Sequence, residues 1–265
     1  MSKPKTRQEW IPEEVTLLKD KWANSTPEQL FSFFPGRTWR SLKYKAIELG
    51  IRGRQKGGHK TSPVNELFFE SWNRDMAYVF GFWFADGCMS QPNKQAQIYF
   101  TSADREHLEL IKHLMQSKHN IRTRKNDNSY DLIIGSHLLW KGLLKLGGLP
   151  AKSLIAEMPF VPEKYLQDWI RGLLDGDGCL TWNGRYPSLA LCGTFSLLTS
   201  IQEILSIQVG VNKQKVYHYN KSSPFIKYGA KDSILIASWL YQDKSAPALE
   251  RKRLIANQFM NWEKK

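Results

Sequence analysis

YVFGFWFADGCM at residues 78–89 and WIRGLLDGDGCL at 169–180 share an apolar approach, a glycine, four intervening residues and then Asp-Gly-Cys. Asp86 and Asp177 stand 91 residues apart, and the two downstream stretches are also parallel. A loop and strand come first (96–102; 187–194), then an amphipathic helix (104–118; 196–208). A basic hairpin (121–135; 213–229) and another helix (137–147; 231–242) complete each copy. Both copies close on a Lys-bearing stretch, LPAKSL (149–154) and ALERKRL (248–254), with Lys152 and Lys252 in matching places. A repeat of this length is one structural unit used twice. The expected fold class is α+β: two pseudo-symmetric αββαββα halves, at 66–162 and 163–265.

Each motif has to solve a packing problem. Gly81 and Gly172 lie inside apolar helices, where glycine costs roughly 1 kcal/mol against alanine. Close backbone approach gives a reason to accept that cost twice, since Gly81, Ala85, Gly172 and Gly176 leave no bulk between paired helices. Their C-terminal ends would then lie together, with Asp86 and Asp177 side by side and Gly87 and Gly178 as helix stops. Two carboxylates at the negative ends of two helices repel each other and oppose both dipoles. A divalent cation removes the conflict, and hard oxygen ligands with room for water and phosphate favour Mg²⁺. Such an ion supports phosphodiester hydrolysis.

Charge supplies the partner. The 265 residues carry 38 Lys and Arg against 25 Asp and Glu, a formal +13. That excess suits a polyanion, because each cation placed at a phosphate releases condensed counterions. Residues 1–60 hold thirteen basic and six acidic side chains, so +7 of the total lies there. Cys88, Cys179 and Cys192 are too few for a disulfide framework, which favours a reducing compartment. The opening MSKPKTRQEW lacks the apolar run of a signal peptide, and no stretch has the length of a membrane span. The expectation is a protein of the cytoplasm or an organelle interior, not secreted.

Within 1–51, three short helices are expected, with starts at Pro12-Glu13-Glu14 and Ser25-Thr26-Pro27-Glu28 and a turn at Pro35-Gly36. The last helix would face Trp39, Leu42, Ala46 and Leu49 inward and Arg37, Arg40, Lys43 and Lys45 outward. The spaced Trp10, Trp22 and Trp39, with FPGRTWRSLKYKAIELG, resemble Myb/SANT-like helix-turn-helix domains, which implies that Arg37, Arg40 and Lys43 contact DNA. The alternative is a small bundle with a solvated charged face. Residues 52–65, RGRQKGGHKTSPVN, read as a flexible basic linker whose Arg52 and Arg54 either lie in a minor groove or make no contact.

Val79–Gly87 and Ile170–Gly178 resemble the LAGLIDADG motif of homing endonucleases, here in a double-motif, monomeric form. The sixth position is Asp175 in the second copy and Phe84 in the first. The resemblance implies that Asp86 and Asp177 bind metal, together with the main-chain carbonyls of Ala85 and Gly176. It also implies basic catalytic partners at Lys152 and Lys252, with Arg251 competing for the second place. The implied activity is site-specific hydrolysis of both strands of a long, asymmetric DNA target using Mg²⁺, with Mn²⁺ able to substitute. An intron-encoded RNA maturase and a non-cleaving DNA-binding regulator are the alternatives. The resemblance further implies two sheets forming a DNA-binding saddle. Strand alternation nominates Gln95, Gln97, Tyr99, Arg122, Arg124, Asn126, Asn183, Arg185, Lys213, Lys215, Tyr217, Tyr219 and Lys221 for it. A one-residue slip would turn Tyr217 and Tyr219 inward instead.

Overall fold

The computed structural model describes residues 9–22, 25, 27–51, 62–92, 95–125, 127–152, 155–218 and 224–262. The chain divides into two compact units, Met1–Thr61 and Ser62–Lys265.

The first unit holds helices α1 (Pro12–Lys21), α2 (Pro27–Phe33) and α3 (Trp39–Glu48). Leu18, Trp22, Leu30, Phe34, Leu42 and Ala46 form its core. Thr38 caps α3, its side chain accepting from the Ser41 amide at 3.2 Å. Two expectations are corrected here. Trp39 does not turn inward; it stays 37% exposed and stacks on Trp22 with ring centroids 5.6 Å apart. Arg37 does not face outward either. It is buried, donates to Glu14 from Nε at 3.1 Å and lies 4.2 Å from the centre of the Trp10 ring. The expected start at 25–28 falls partly outside the described residues, as does the linker stretch 52–61 with Arg52 and Arg54. The end of the expected linker is not free chain: the Lys118 amide donates to Pro63 and the Asn65 amide to Met115, at 2.8 and 3.0 Å.

The second unit is built of two copies of one arrangement. The first runs α4 (Arg74–Asp86), β1 (Gly87–Met89), β2 (Gln97–Ser102), α5 (Arg105–Leu114), β3 (Ile121–Thr123), β4 (Tyr130–Gly135) and α6 (His137–Lys145). The second runs α7 (Leu166–Asp177), β5 (Gly178–Asn183), β6 (Tyr186–Cys192), α8 (Phe195–Val209), β7 (Tyr217–His218), β8 (Pro224–Tyr228) and α9 (Ala230–Tyr241), and adds α10 (Glu250–Met260). Each half contains one antiparallel four-stranded sheet, in the orders β1-β2-β4-β3 and β5-β6-β8-β7. The architecture is therefore α+β with repeated αββαββα halves.

Period-two alternation fixes the sheet faces. Ile98, Phe100, Leu132 and Ile134 point into the core in the first half, as do Leu189, Leu191, Ile226 and Tyr228 in the second. Gln97, Tyr99, Thr101 and Arg122 share the opposite face of the first sheet. Equivalent caps start the helices behind the sheets. The side chain of Asp104 accepts from the His107 amide at the head of α5, and that of Thr194 from the Leu197 amide at the head of α8.

Helices α4 and α7 join the halves. A Cβ on Gly81 would lie 2.0 Å from the Trp169 carbonyl oxygen, and one on Gly172 would lie 2.1 Å from that of Tyr78. The two backbones touch at both glycines, so any side chain there would force the helices apart.

Candidate active site at the end of the paired helices

The approach continues to the helix ends. A Cβ on Gly176 would meet the Ala85 Cβ at 2.3 Å and an Asp86 carboxylate oxygen at 3.3 Å. The exits of the two motifs are thus adjacent, and Asp86 and Asp177 are brought together. Gly87 and Gly178 end the helices differently from expectation. Their φ values of −103° and −92° are extended, so each helix runs directly into a strand without a left-handed turn. Glycine is needed there for space: a Cβ would lie 2.2 Å from Trp83 Cδ1 or 2.3 Å from Leu174 Cδ1.

Both aspartates reach solvent, yet the surrounding protein keeps off enough water to disfavour their ionised forms. Burial and then repulsion from Asp86 push the Asp177 carboxyl up to about 6. Burial also raises Asp86, against the attraction of Lys252, Lys152 and Arg251.

Lys152 and Lys252 are both buried beside this pair, and burial lowers each to about 8. Their hydrogen bonding differs. Lys252 Nζ donates to the carbonyls of Leu174, Asp175 and Gly178 at 2.6, 2.8 and 2.6 Å, with Gly176 at 3.4 Å. An ammonium has three N–H donors, so these acceptors use all of them. Lys152 donates to the Gly87 carbonyl and sits 4.6 Å from the centre of the Trp83 ring. Arg251 turns toward the Asp104 carboxylate, 4.0 Å away.

Asp175 stands out in the sequence only as a departure between the copies. In the fold it is buried and accepts from Tyr78 Oη at 2.7 Å, Tyr241 Oη at 2.6 Å and the Leu249 amide at 2.6 Å. Phe84, at the equivalent place, packs on Trp169 with ring centroids 5.5 Å apart. The sequence signal for this network is the polar residue inside an otherwise apolar helix. Its partners come from elements too distant for any pattern to reveal.

The site's donor set suits a hard divalent cation: two carboxylates that resist ionisation beside each other, next to main-chain carbonyls. Among the described residues no cluster of three or more His, Cys, Asp or Glu is placed to hold a metal, so water or phosphate oxygens would complete the shell. The Gly176 carbonyl neighbours the Lys252 ammonium.

Of the nominated contact residues, Gln97, Tyr99 and Arg122 lie on the open face of the first sheet, with Gln95 exposed just before β2. Tyr99 Oη donates to Gln97 Oε1 at 2.6 Å. Arg124 lies 3.5 Å from both Asp127 and Asp131. Asn183 and Arg185 are exposed at the β5–β6 turn. Tyr217 pairs with Phe225, opposite the core, and Lys215 sits over its ring at 5.9 Å. The strand expected from Lys213 is a correction: β7 begins only at Tyr217, so Lys213 and Lys215 both precede it, and Lys213 pairs with Glu203 of α8. Arg40 and Lys43 are exposed on α3. Asn126, Tyr219 and Lys221 lie outside the described residues. Lys227, exposed on β8, joins the open face without having been nominated, although PFIKY alternates as clearly as the other strands.

Residues 73–147 match the family model of the LAGLIDADG-like domain. No curated protein matches the chain. Among solved structures, the homing endonuclease I-WcaI bound to its DNA recognition sequence is 15% identical, covering 71% of this chain and 90% of its own, with a TM-score of 0.49. Mesophilic variants of the homing endonuclease I-DmoI are 14% identical over 75% of this chain and 100% of theirs, TM-score 0.49. The LAGLIDADG meganuclease I-AabMI bound to uncleaved DNA is 13% identical over 72% and 90%, TM-score 0.48. Residues 73–147 are thus a LAGLIDADG-like domain, and the rest of the second unit repeats its motif and its order of elements.

Proposed function

We propose that this chain is a site-specific DNA endonuclease that hydrolyses both strands of a long, asymmetric target, with Mg²⁺ as the working ion and Mn²⁺ as a substitute. The adjacency of the Asp86 and Asp177 exits, enforced by helices in backbone contact, carries this reading. The family match of the first half agrees with it.

Asp86 and Asp177 would hold the divalent ion, with the Ala85 carbonyl beside them. When bound, such an ion lowers the pKa of a water and offsets charge on the phosphodiester. Among the described residues Lys152 donates to the Gly87 carbonyl alone, which leaves it the side chain suited to a scissile phosphate oxygen. Lys252 anchors the end of α7, which holds Asp177 in place. Gln97, Tyr99, Arg122, Asn183, Arg185, Lys215 and Tyr217 would read or grip the duplex, since phosphate contacts position and base contacts specify. Unlike residues on the two sheets call for an asymmetric target. The first unit, through Arg40 and Lys43, would lengthen the footprint by raising effective concentration. The protein would act as a monomer, since one chain carries both acids. Among the described residues no helix is long and apolar enough to cross a membrane.

The test is incubation with Mg²⁺ and duplex DNA spanning the uninterrupted sequence that flanks its gene. Discrete double-strand cuts are expected, lost in Asp86→Asn and Asp177→Asn with binding retained. Binding without cutting by the unaltered protein, or preference for structured RNA, would overturn the reading in favour of a regulator or a maturase.

A further inference from the structure

The second sheet carries a feature unconnected with the acids. β5 and β6 pair over six positions, whereas β1 and β2 pair over three, so the second half has a longer hairpin, turning at Gly184 with φ of +58°. β6 stays paired with β8 only from Leu189 to Cys192. Residues 186–188 therefore run on without a strand partner on that side among the described residues, and a cleft of about 320 Å³ opens between them and the Tyr228–Ala230 corner. This volume is at the small end of the range for sites that take organic ligands.

The lining is chemically specific. Tyr186, Tyr217 and Phe225 supply flat apolar surface, and the last two rings stack at 5.5 Å with 26° between planes. Asn183, Ser188 and Lys227 supply polar groups. Ser188 is 2% exposed, and its hydroxyl has no hydrogen-bond partner among the described residues. Buried hydroxyls are normally satisfied, and leaving one unmade is costly. The unpartnered Ser188 hydroxyl marks a place where an incoming hydrogen-bonding group gains more than it would elsewhere on the sheet. Ser188 pairs with Thr181 and flanks Leu189, which points into the core, so it lies on the open face with Lys227. Lys227 supplies positive charge among the described lining residues, so the anionic part of a ligand belongs beside it.

We propose that this cleft binds a single nucleotide, its base against Tyr217 and Phe225, its polar edge on Ser188 and Asn183, and its phosphate on Lys227. Aromatic surfaces stack on any base, while a fixed hydroxyl and amide select among base edges. The nucleotide has two sources, a free mononucleotide or an unpaired nucleotide within a DNA strand. Asn183 and Tyr217 also belong to the face assigned above to the duplex, so the strand source rests on that reading, whereas binding of a free mononucleotide needs neither aspartate nor metal.

The experiment uses the full chain without divalent cation. Tryptophan fluorescence or calorimetry is followed with dAMP, dTMP, dGMP and dCMP, and with a duplex carrying a one-nucleotide bulge beside its fully paired counterpart. Saturable binding of a mononucleotide, weakened at least tenfold by Ser188→Ala and by Lys227→Met, supports the free source. Tighter binding of the bulged duplex than of the paired one, with the excess lost in both variants, supports the strand source. Ser188→Ala removes an unpartnered hydroxyl, so its thermal midpoint should equal or exceed that of the unaltered protein, which separates ligand loss from misfolding. If no mononucleotide saturates and the bulge gives no excess affinity, or if both variants bind like the original, the proposal fails.

Discussion

Tyr78 in α4 donates its phenolic proton to Asp175 in α7 at 2.7 Å, and the positions related to them by the repeat, Trp169 and Phe84, meet instead as two aromatic rings. One contact across the helix pair is polar and its counterpart is apolar. Because the Tyr78 proton goes to the carboxylate, His107 Nε2, 2.7 Å from the same oxygen, is the donor in that pair. Burial, together with Lys252 and Arg251, holds the His107 imidazolium pKa down to about 3, so the ring stays neutral. Its Nδ1 has no partner among the described residues.

Removing one donor from Asp175 should therefore be costly. Tyr78→Phe and Tyr241→Phe are each expected to lose about 1–3 kcal/mol of unfolding free energy, the usual result of leaving a buried acceptor short. The double variant should depart from additivity, because both phenols serve one carboxylate. Urea denaturation of the three variants measures this, and strictly additive small losses would rule out a shared network.

Gly81→Ala and Gly172→Ala place a Cβ about 2 Å from a backbone carbonyl. Neither carbonyl can swing aside as a side chain would, so the helices must separate. We expect a loss of roughly 3 kcal/mol or more per substitution, at or above the upper end for overpacked cores, visible as a large drop in thermal midpoint. Alanine variants as stable as the original would mean that the backbones do not touch.

The two buried lysines should respond in opposite ways. Lys252→Met strands the carbonyls of Leu174, Asp175 and Gly178, and is expected to destabilise the fold by about 1–3 kcal/mol. Lys152→Met abandons one carbonyl and one aromatic contact, and should cost less stability while removing most of the cleavage. Denaturation and cleavage assays on both variants check the split; equal effects on both measures would remove the distinction.

Cation binding should weaken in acid. A divalent ion needs ionised carboxylates, and Asp177 takes up its proton near 6 because of burial and the Asp86 charge. Above that value the ion competes with no proton at Asp177; below it, apparent affinity should fall up to about tenfold per pH unit. Mg²⁺-induced thermal stabilisation at pH 5, 6 and 7 reads this directly. Stabilisation that is constant over the range would show that Asp177 is not a ligand. Without metal the sign reverses for stability: a raised carboxyl favours the protonated fold, so stability should decline from about pH 4 to 6.

Deleting residues 1–60 removes thirteen basic and six acidic side chains. The expected result is weaker DNA binding and a shallower dependence on salt, with cleavage still detectable at low ionic strength. Affinity unchanged by the deletion would exclude a DNA role for the first unit.

The repeat makes much of this legible. Glycine spacing inside apolar helices announces a backbone contact, and the duplicated Asp-Gly then puts two acids at its end. Strand alternation yields the correct faces for Tyr99, Arg122 and Tyr217, because burying one face leaves a single acceptable register. Arg37 and Lys213 depart from expectation for a common reason. A cation on a helical or alternating pattern reads as outward, while its carboxylate partner, Glu14 or Glu203, is set by tertiary contact. The same limit hides the Tyr78–Asp175 network and the unpaired stretch of β6. The unequal roles of Lys152 and Lys252 are likewise invisible in sequence, since both occupy matching places and differ only in which carbonyls surround them.

In a two-subunit enzyme with true twofold symmetry, one codon dictates both sides of the axis. An aspartate at the sixth motif position would then be met by its own image, and two water-starved anions would share one interior. Fusion into a single polypeptide dissolves that constraint. A benzyl group on one side lets the other keep an ionisable residue, and mutation can thereafter tune each half alone.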